Sequence, residues 1–155
     1  MSEHRATVEW KRQGDFVYAT YSRMHEVHFE SGVTIPGRAS PSNIPRTAPS
    51  SPGVDPEEAF VGALSQCHML WFLHLALEGK FVVERYVDEA LGVLDRTWMS
   101  KVTLRPRVTF SGKVPSDEQH RELHHKAHEK CFIANSVTSE VRCEPQIAAE
   151  GDATP

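Results

Sequence analysis

The sequence predicts a single α+β domain, and three observations carry that prediction. The N-terminal third is made of short, strand-like segments, a long uncharged helix follows, and the remainder mixes alternating segments with one polar helix. At 155 residues the chain has the size of one domain. A domain of that size buries about two-thirds of its unfolded surface and needs no covalent staple. Hydrophobic residues at 39% and charged residues at 25% match a globular protein with a core.

Charge narrows the partners. A net charge of −4 provides no bulk positive field to hold phosphates, so nucleic acid is not an expected partner. Met1 to Arg5 carry no apolar signal core, and a cytoplasmic location is the expectation. Three cysteines are too few for a disulfide scaffold, which leaves buried, metal-bound or reactive thiols.

Thr7–Lys11, Phe16–Tyr21 and Glu26–Phe29 read as strands of an antiparallel meander, punctuated by Gly14-Asp15 and Ser22-Arg23. Residues 35–56 then hold six of the ten prolines and read as a loop within the domain. Such a segment sustains neither helix nor central strand. It is either a flexible linker or a lid over a site.

Asp55-Pro56-Glu57-Glu58 is a helix start: an aspartate cap, proline at the first helical position and glutamate at the third. No Asp, Glu, Lys or Arg occurs from Ala59 to Leu77, and Gly79 supplies the stop. The length resembles that of a membrane span, but Ser65, Gln66, His68 and His74 interrupt it and no basic flank orients it. A helix apolar on most sides is expected at the buried centre of a fold rather than in a membrane.

Phe81–Val87, Ala90–Leu94 and Lys101–Phe110 follow as strands, with Pro106 marking an edge or bulge in the last. Ser116–Gln119 starts a second helix, Asp117 to about Lys130. Val137–Glu144 reads as a closing strand, and 148–155 as a disordered tail.

Cys67 lies inside the apolar helix, where a cysteine commonly serves as a small hydrophobe. The helix dipole fades within the first turn, so a reactive thiolate here needs a nearby cation or base. Cys131 follows the second helix, and two such cysteines can meet as an attacking and a resolving thiol. Cys143, in the closing strand, is expected in the core.

The stretch Asp55-Pro56-Glu57-Glu58-Ala59-Phe60-Val61-Gly62-Ala63-Leu64-Ser65-Gln66-Cys67, with Lys126-Ala127-His128-Glu129-Lys130-Cys131-Phe132-Ile133-Ala134-Asn135-Ser136-Val137, resembles the OsmC/Ohr family. That family takes its name from osmotically induced and organic-hydroperoxide-resistance proteins. The shared pattern is a helix start, a cysteine eleven residues after its proline, and a second cysteine before an Asn-Ser turn. Asp55 stands where the family commonly has asparagine, and Ser65-Gln66-Cys67-His68-Met69-Leu70 looks like a separate branch.

The resemblance implies an intertwined homodimer in which two antiparallel strand layers enclose long central helices. It also implies a thiol peroxidase, with Cys67 peroxidatic, Cys131 resolving and Glu57 at the active-site glutamate position. The arginine that pairs with thiolate and glutamate is then Arg46, with Arg38 as its competitor. The substrate is a hydroperoxide and the reductant a dithiol of the dihydrolipoyl type, with no metal, flavin or haem. Phe60, Met69, Leu70 and Trp71 are candidates for an apolar wall. Read without the resemblance, Glu57 and Glu58 are ordinary first-turn residues that complement the helix dipole.

A different class of function rests on histidine. His120, His124 and His128 recur every four residues on one helix face, and His124, His128 and Cys131 have the residue types of a metal site. The competing reading is a solvated face of a polar helix. His25 and His28 lie on opposite faces of their strand and carry no assigned role. A third class is a non-catalytic module holding an apolar ligand.

Overall fold

The computed structural model describes residues 1–148. The chain forms two compact units, Met1–Ala59 and Phe60–Pro155. Residues 149–155, most of the expected tail, lie outside the described residues. Ala148 itself is tied down, its amide donating to the Val108 carbonyl at 2.9 Å.

In the N-terminal unit, β1 (Ala6–Glu9), β2 (His25–Phe29) and β3 (Thr34–Gly37) form an antiparallel sheet in that order. Val8, Val27 and Ile35 align across it. The expected strand at Phe16–Tyr21 does not form. The amides of Thr20 and Tyr21 both turn back to the Val17 carbonyl, at 3.0 and 2.8 Å. Aromatic packing replaces the ladder: Phe16 stands 5.6 Å from Trp10 and 5.0 Å from Tyr21, centroid to centroid, with the Arg23 guanidinium 3.8 Å from the Tyr21 ring centre.

The proline-rich loop also departs from expectation, because its first residues pair as β3. Gly37 bridges Val54, the Val54 amide donates to the Pro36 carbonyl at 2.9 Å, and the Arg38 amide to the Val54 carbonyl at 3.2 Å. The segment therefore leaves and returns to one point on the sheet, as an Ω-like loop does and a linker does not. A Cβ at Gly37 would lie 2.2 Å from His25 Nε2, so any larger residue there requires the His25 ring to move.

Helix α1 (Pro56–Glu78) begins as the sequence predicts. Asp55 Oδ1 accepts the Glu58 amide at 2.8 Å, and Glu58 Oε2 accepts the Asp55 amide at 3.1 Å, a reciprocal capping box. Within the C-terminal unit the helix is less enclosed than expected. Leu64, His68, Phe72, Leu75 and Ala76 form its buried stripe, while Leu70 and Leu77 are 61% and 74% exposed.

Among the described residues, six strands and a second α-helix belong to this unit. β4 (Val82–Asp88), β7 (Pro106–Ser111) and β9 (Gln146–Ile147) form one sheet, and β5 (Leu91–Asp95), β6 (Trp98–Leu104) and β8 (Glu140–Cys143) another. β4–β7 and β5–β6 pair antiparallel, whereas β8 and β9 join their sheets in parallel, so both sheets are mixed. The expected strand 101–110 is divided at Arg105: the chain leaves one sheet after Leu104 and enters the other at Pro106. Asp88 Oδ1 accepts the Arg105 amide at 2.6 Å at that break. Glu144 and Pro145 make the same crossing between β8 and β9.

Helix α2 (Asp117–Lys130) opens with its own capping box, Ser116 with Gln119. Phe72, Leu75 and Ala76 pack with Phe81, Val108, Phe110 and Ala127 in one core cluster; Leu64, Val102 and Leu104 form a second.

Candidate active site and a buried histidine cluster

Cys67 is half-buried on α1, one position before the core-facing His68. It opens on a cavity of about 360 Å³ lined by Leu70, Trp71, His74 and Phe132. Trp71 organises this wall, edge-on to Phe132 at 5.5 Å and to His74 at 5.8 Å. Leu70 and Trp71 were expected here; Phe60 packs against the Leu64 core cluster instead. Phe132 and His74 were not expected, although Phe132 adjoins Cys131 in sequence.

Cys131 is buried, 1% exposed, at the C-terminal end of α2. Its thiol is pushed up to about 11, chiefly by burial and in smaller part by the neighbouring Cys67. The amide of Ala134 opposes this by donating to Sγ at 3.4 Å. A helix C-terminus also disfavours an anion. The structure thus brings together the two cysteines, 64 residues apart in sequence, that the sequence pairs, and both are free thiols.

The charged groups belong to the N-terminal unit. Glu57 Oε1 accepts from Asn43 Nδ2 at 3.3 Å, while Oε2 is buried without a partner. Arg38 Nη2 reaches Glu58 Oε1 at 3.4 Å, and its Nε is likewise buried and unpartnered. Arg46 is exposed on the loop and makes no hydrogen bond or ion pair among the described residues.

The histidine face of α2 is not the solvated surface weighed from sequence. His120 and His124 are 3% and 2% exposed, and His68 on α1 is 1% exposed. They are linked: His68 Nε2 lies 2.9 Å from His124 Nδ1, and His124 Nε2 lies 3.2 Å from His120 Nε2. Burial holds His68 down at about 4, with His128 contributing; His124 is lowered further by burial and by His120 and His68. Burial also lowers His120, against a smaller upward pull from Asp117.

The metal set His124/His128/Cys131 is not assembled. Cys131 is turned to Cys67 and the Ala134 amide, and His128 is only half-buried. Cys143, expected as plain core, takes that place, with Sγ at 3.7 Å from both His68 Nε2 and His124 Nδ1. The four-residue histidine spacing signals part of this cluster. Nothing local signals His68 or Cys143, which arrive from α1 and β8.

The chain matches the family model described as OsmC-like protein over residues 48–146. Among solved structures it is similar to an OsmC-like protein of unknown function from Vibrio cholerae, at 47% identity and a TM-score of 0.87, over 94% of this chain and 99% of that one. It shares its fold with the organic hydroperoxide resistance protein OhrB of Bacillus subtilis, at 16% identity and a TM-score of 0.61, over 95% and 98% of the two chains. The same holds for an organic hydroperoxide resistance protein from Legionella pneumophila, at 18% identity and a TM-score of 0.62, over 96% and 98%. No curated protein sequence matches the chain.

Proposed function

Because the chain belongs to the OsmC-like family, we propose that it acts in hydroperoxide resistance as a cysteine-based thiol peroxidase. The observation that carries this reading is the Cys67 thiol, open to an apolar cavity and next to a second buried thiol, Cys131. The neighbours called organic hydroperoxide resistance proteins support it at the level of fold.

In the proposed cycle the Cys67 thiolate attacks the distal oxygen of a hydroperoxide and the O–O bond breaks. The leaving alkoxide takes a proton as alcohol, or as water from hydrogen peroxide, and Cys67 becomes a sulfenic acid. Cys131 then attacks that sulfur, water leaves, and a disulfide forms. A dithiol of the dihydrolipoyl type reopens the disulfide by two exchanges. The leucine, tryptophan and phenylalanine wall favours an organic tail on the peroxide.

A guanidinium supports the attack by stabilising thiolate and leaving alkoxide. Arg46 is the position implied by the family pattern; Arg38 is the one already held by a carboxylate, Glu58. Glu57, with one carboxylate oxygen buried and unpartnered, is suited to accept the second guanidinium contact. The active protein is a homodimer in this reading: Leu70, Leu77 and Phe132, at 61%, 74% and 68% exposure, present apolar surface for a second copy.

Addition of one equivalent of cumene hydroperoxide tests the chemistry. Titratable thiols are expected to fall from three to one per chain, with Cys67 and Cys131 recovered in one disulfide-linked peptide pair. Three thiols remaining, or oxidation confined to Cys143, would overturn the reading.

A further inference from the structure

Beyond the thiol pair, we propose that His68 Nε2, His124 Nδ1 and Cys143 Sγ form a binding site for Zn²⁺, with an open fourth position. The three atoms come from α1, α2 and β8, and all lie within 4.8 Å of one another. The separations are 2.9 Å between the nitrogens and 3.7 Å from each nitrogen to sulfur. Zn–N bonds of about 2.0–2.1 Å and a Zn–S bond of about 2.3 Å at tetrahedral angles require roughly 3.3 Å and 3.6 Å. The triangle therefore closes around the ion once the two imidazoles, which now face each other nearly parallel with centroids 5.2 Å apart, part by roughly 0.4 Å and each turns its nitrogen off their shared line toward the sulfur side.

The hydrogen bonding of the cluster points the same way. A neutral imidazole has one donor nitrogen and one acceptor nitrogen. His124 Nε2 is engaged by His120, a contact that leaves Nδ1 as lone pair when Nε2–H is the donor. This is the arrangement in which a second residue fixes the tautomer of a ligating histidine. His68 Nδ1 is buried with no partner, and it is the nitrogen that carries the proton when Nε2 ligates, so the Zn–N bond replaces the Nε2 contact with His124. Cys143, which also packs against the Leu64 core cluster, sets its sulfur beside the same two nitrogens, at 3.7 Å from each. Two imidazoles and a thiolate are the ligand chemistry of zinc rather than of magnesium or calcium.

Access exists on one side. A cavity of about 280 Å³ is lined by His124, Cys143, Arg121, His125, His128 and Val141, among others, and faces the cluster. Binding replaces the Cys143 S–H proton, which leaves to solvent, by a Zn–S bond, and water in the cavity takes the fourth position.

The test uses the full chain with Cys67→Ser and Cys131→Ser, so that Cys143 is the only thiol. Equilibrium dialysis against zinc is expected to give one equivalent per chain. Cobalt substitution should give a thiolate-to-cobalt charge-transfer band with tetrahedral ligand-field absorption. Adding Cys143→Ala should abolish that band and lower zinc affinity by more than the ~10–100-fold typical of losing a merely supporting residue. His120→Gln, outside the triangle, should retain the band and lose affinity within that smaller range. If the Cys143→Ala protein fails to fold, the parent protein decides alone: a stoichiometric thiolate–cobalt band supports the site. Absence of zinc uptake, or cobalt bound without a thiolate band, would overturn it and leave the cluster a hydrogen-bonded core network.

Discussion

Arg38 Nη2 lies 3.4 Å from Glu58 Oε1, on the same carboxyl group that caps α1 by accepting the Asp55 amide. One side chain thus joins the helix cap to the first arginine of the loop. Glu57, the adjacent carboxylate, is left to Asn43 and keeps one buried oxygen without a partner.

That relationship separates the two arginines experimentally. If the held guanidinium activates Cys67, Arg38→Ala should lower the second-order rate of thiol oxidation by roughly 100-fold, the scale of losing one electrostatic donor. Arg46→Ala should then change it little. The reverse result assigns the role to Arg46. Stopped-flow tryptophan fluorescence after addition of cumene hydroperoxide reads both.

Cys131→Ser should leave the first oxidation intact and remove turnover. One equivalent of alcohol per chain is expected in a burst, with the sulfenic acid on Cys67 trapped by dimedone. Sustained turnover of this variant with a dithiol would show that Cys131 is not the resolving group.

The cap can be tested by stability alone. Asp55→Ala removes the acceptor for the Glu58 amide and should cost about 1 kcal/mol, a few degrees in Tm. Asp55→Asn keeps an acceptor and should lose much less. Thermal melts followed by circular dichroism compare them.

The buried histidines make stability depend on pH. In the unfolded chain their imidazoles titrate near 6.5, while folding holds His68 at about 4 and His124 lower still. Between those limits the unfolded state binds protons that the folded state excludes, so stability falls as pH drops below about 6.5. In chelator-treated protein, Tm should fall by roughly 5 °C or more between pH 7 and pH 5. His68→Gln should flatten that slope; an unchanged slope would contradict the assignment.

Local rules made much of the fold legible. Asp55-Pro56, Gly79 and Ser116–Gln119 bounded both helices because caps and stops are short-range chemistry. β3 was hidden because Pro36 and Gly37 read as loop residues, although the sheet accepts both at its end. Phe16–Tyr21 has strand composition but turns, since contacts among Trp10, Phe16 and Tyr21 replaced strand pairing. In the site, Cys67 and Cys131 were legible through family spacing. His68 and Cys143 were not, because their meeting with His124 depends on packing among α1, α2 and β8.

The central claim is that Cys67 carries peroxide reduction, and steady-state turnover of cumene hydroperoxide with dihydrolipoamide measures it most directly. Turnover by the parent protein that is abolished in Cys67→Ser and unaffected by chelator is the predicted result. Equal turnover in Cys67→Ser, or none in the parent protein, would contradict it.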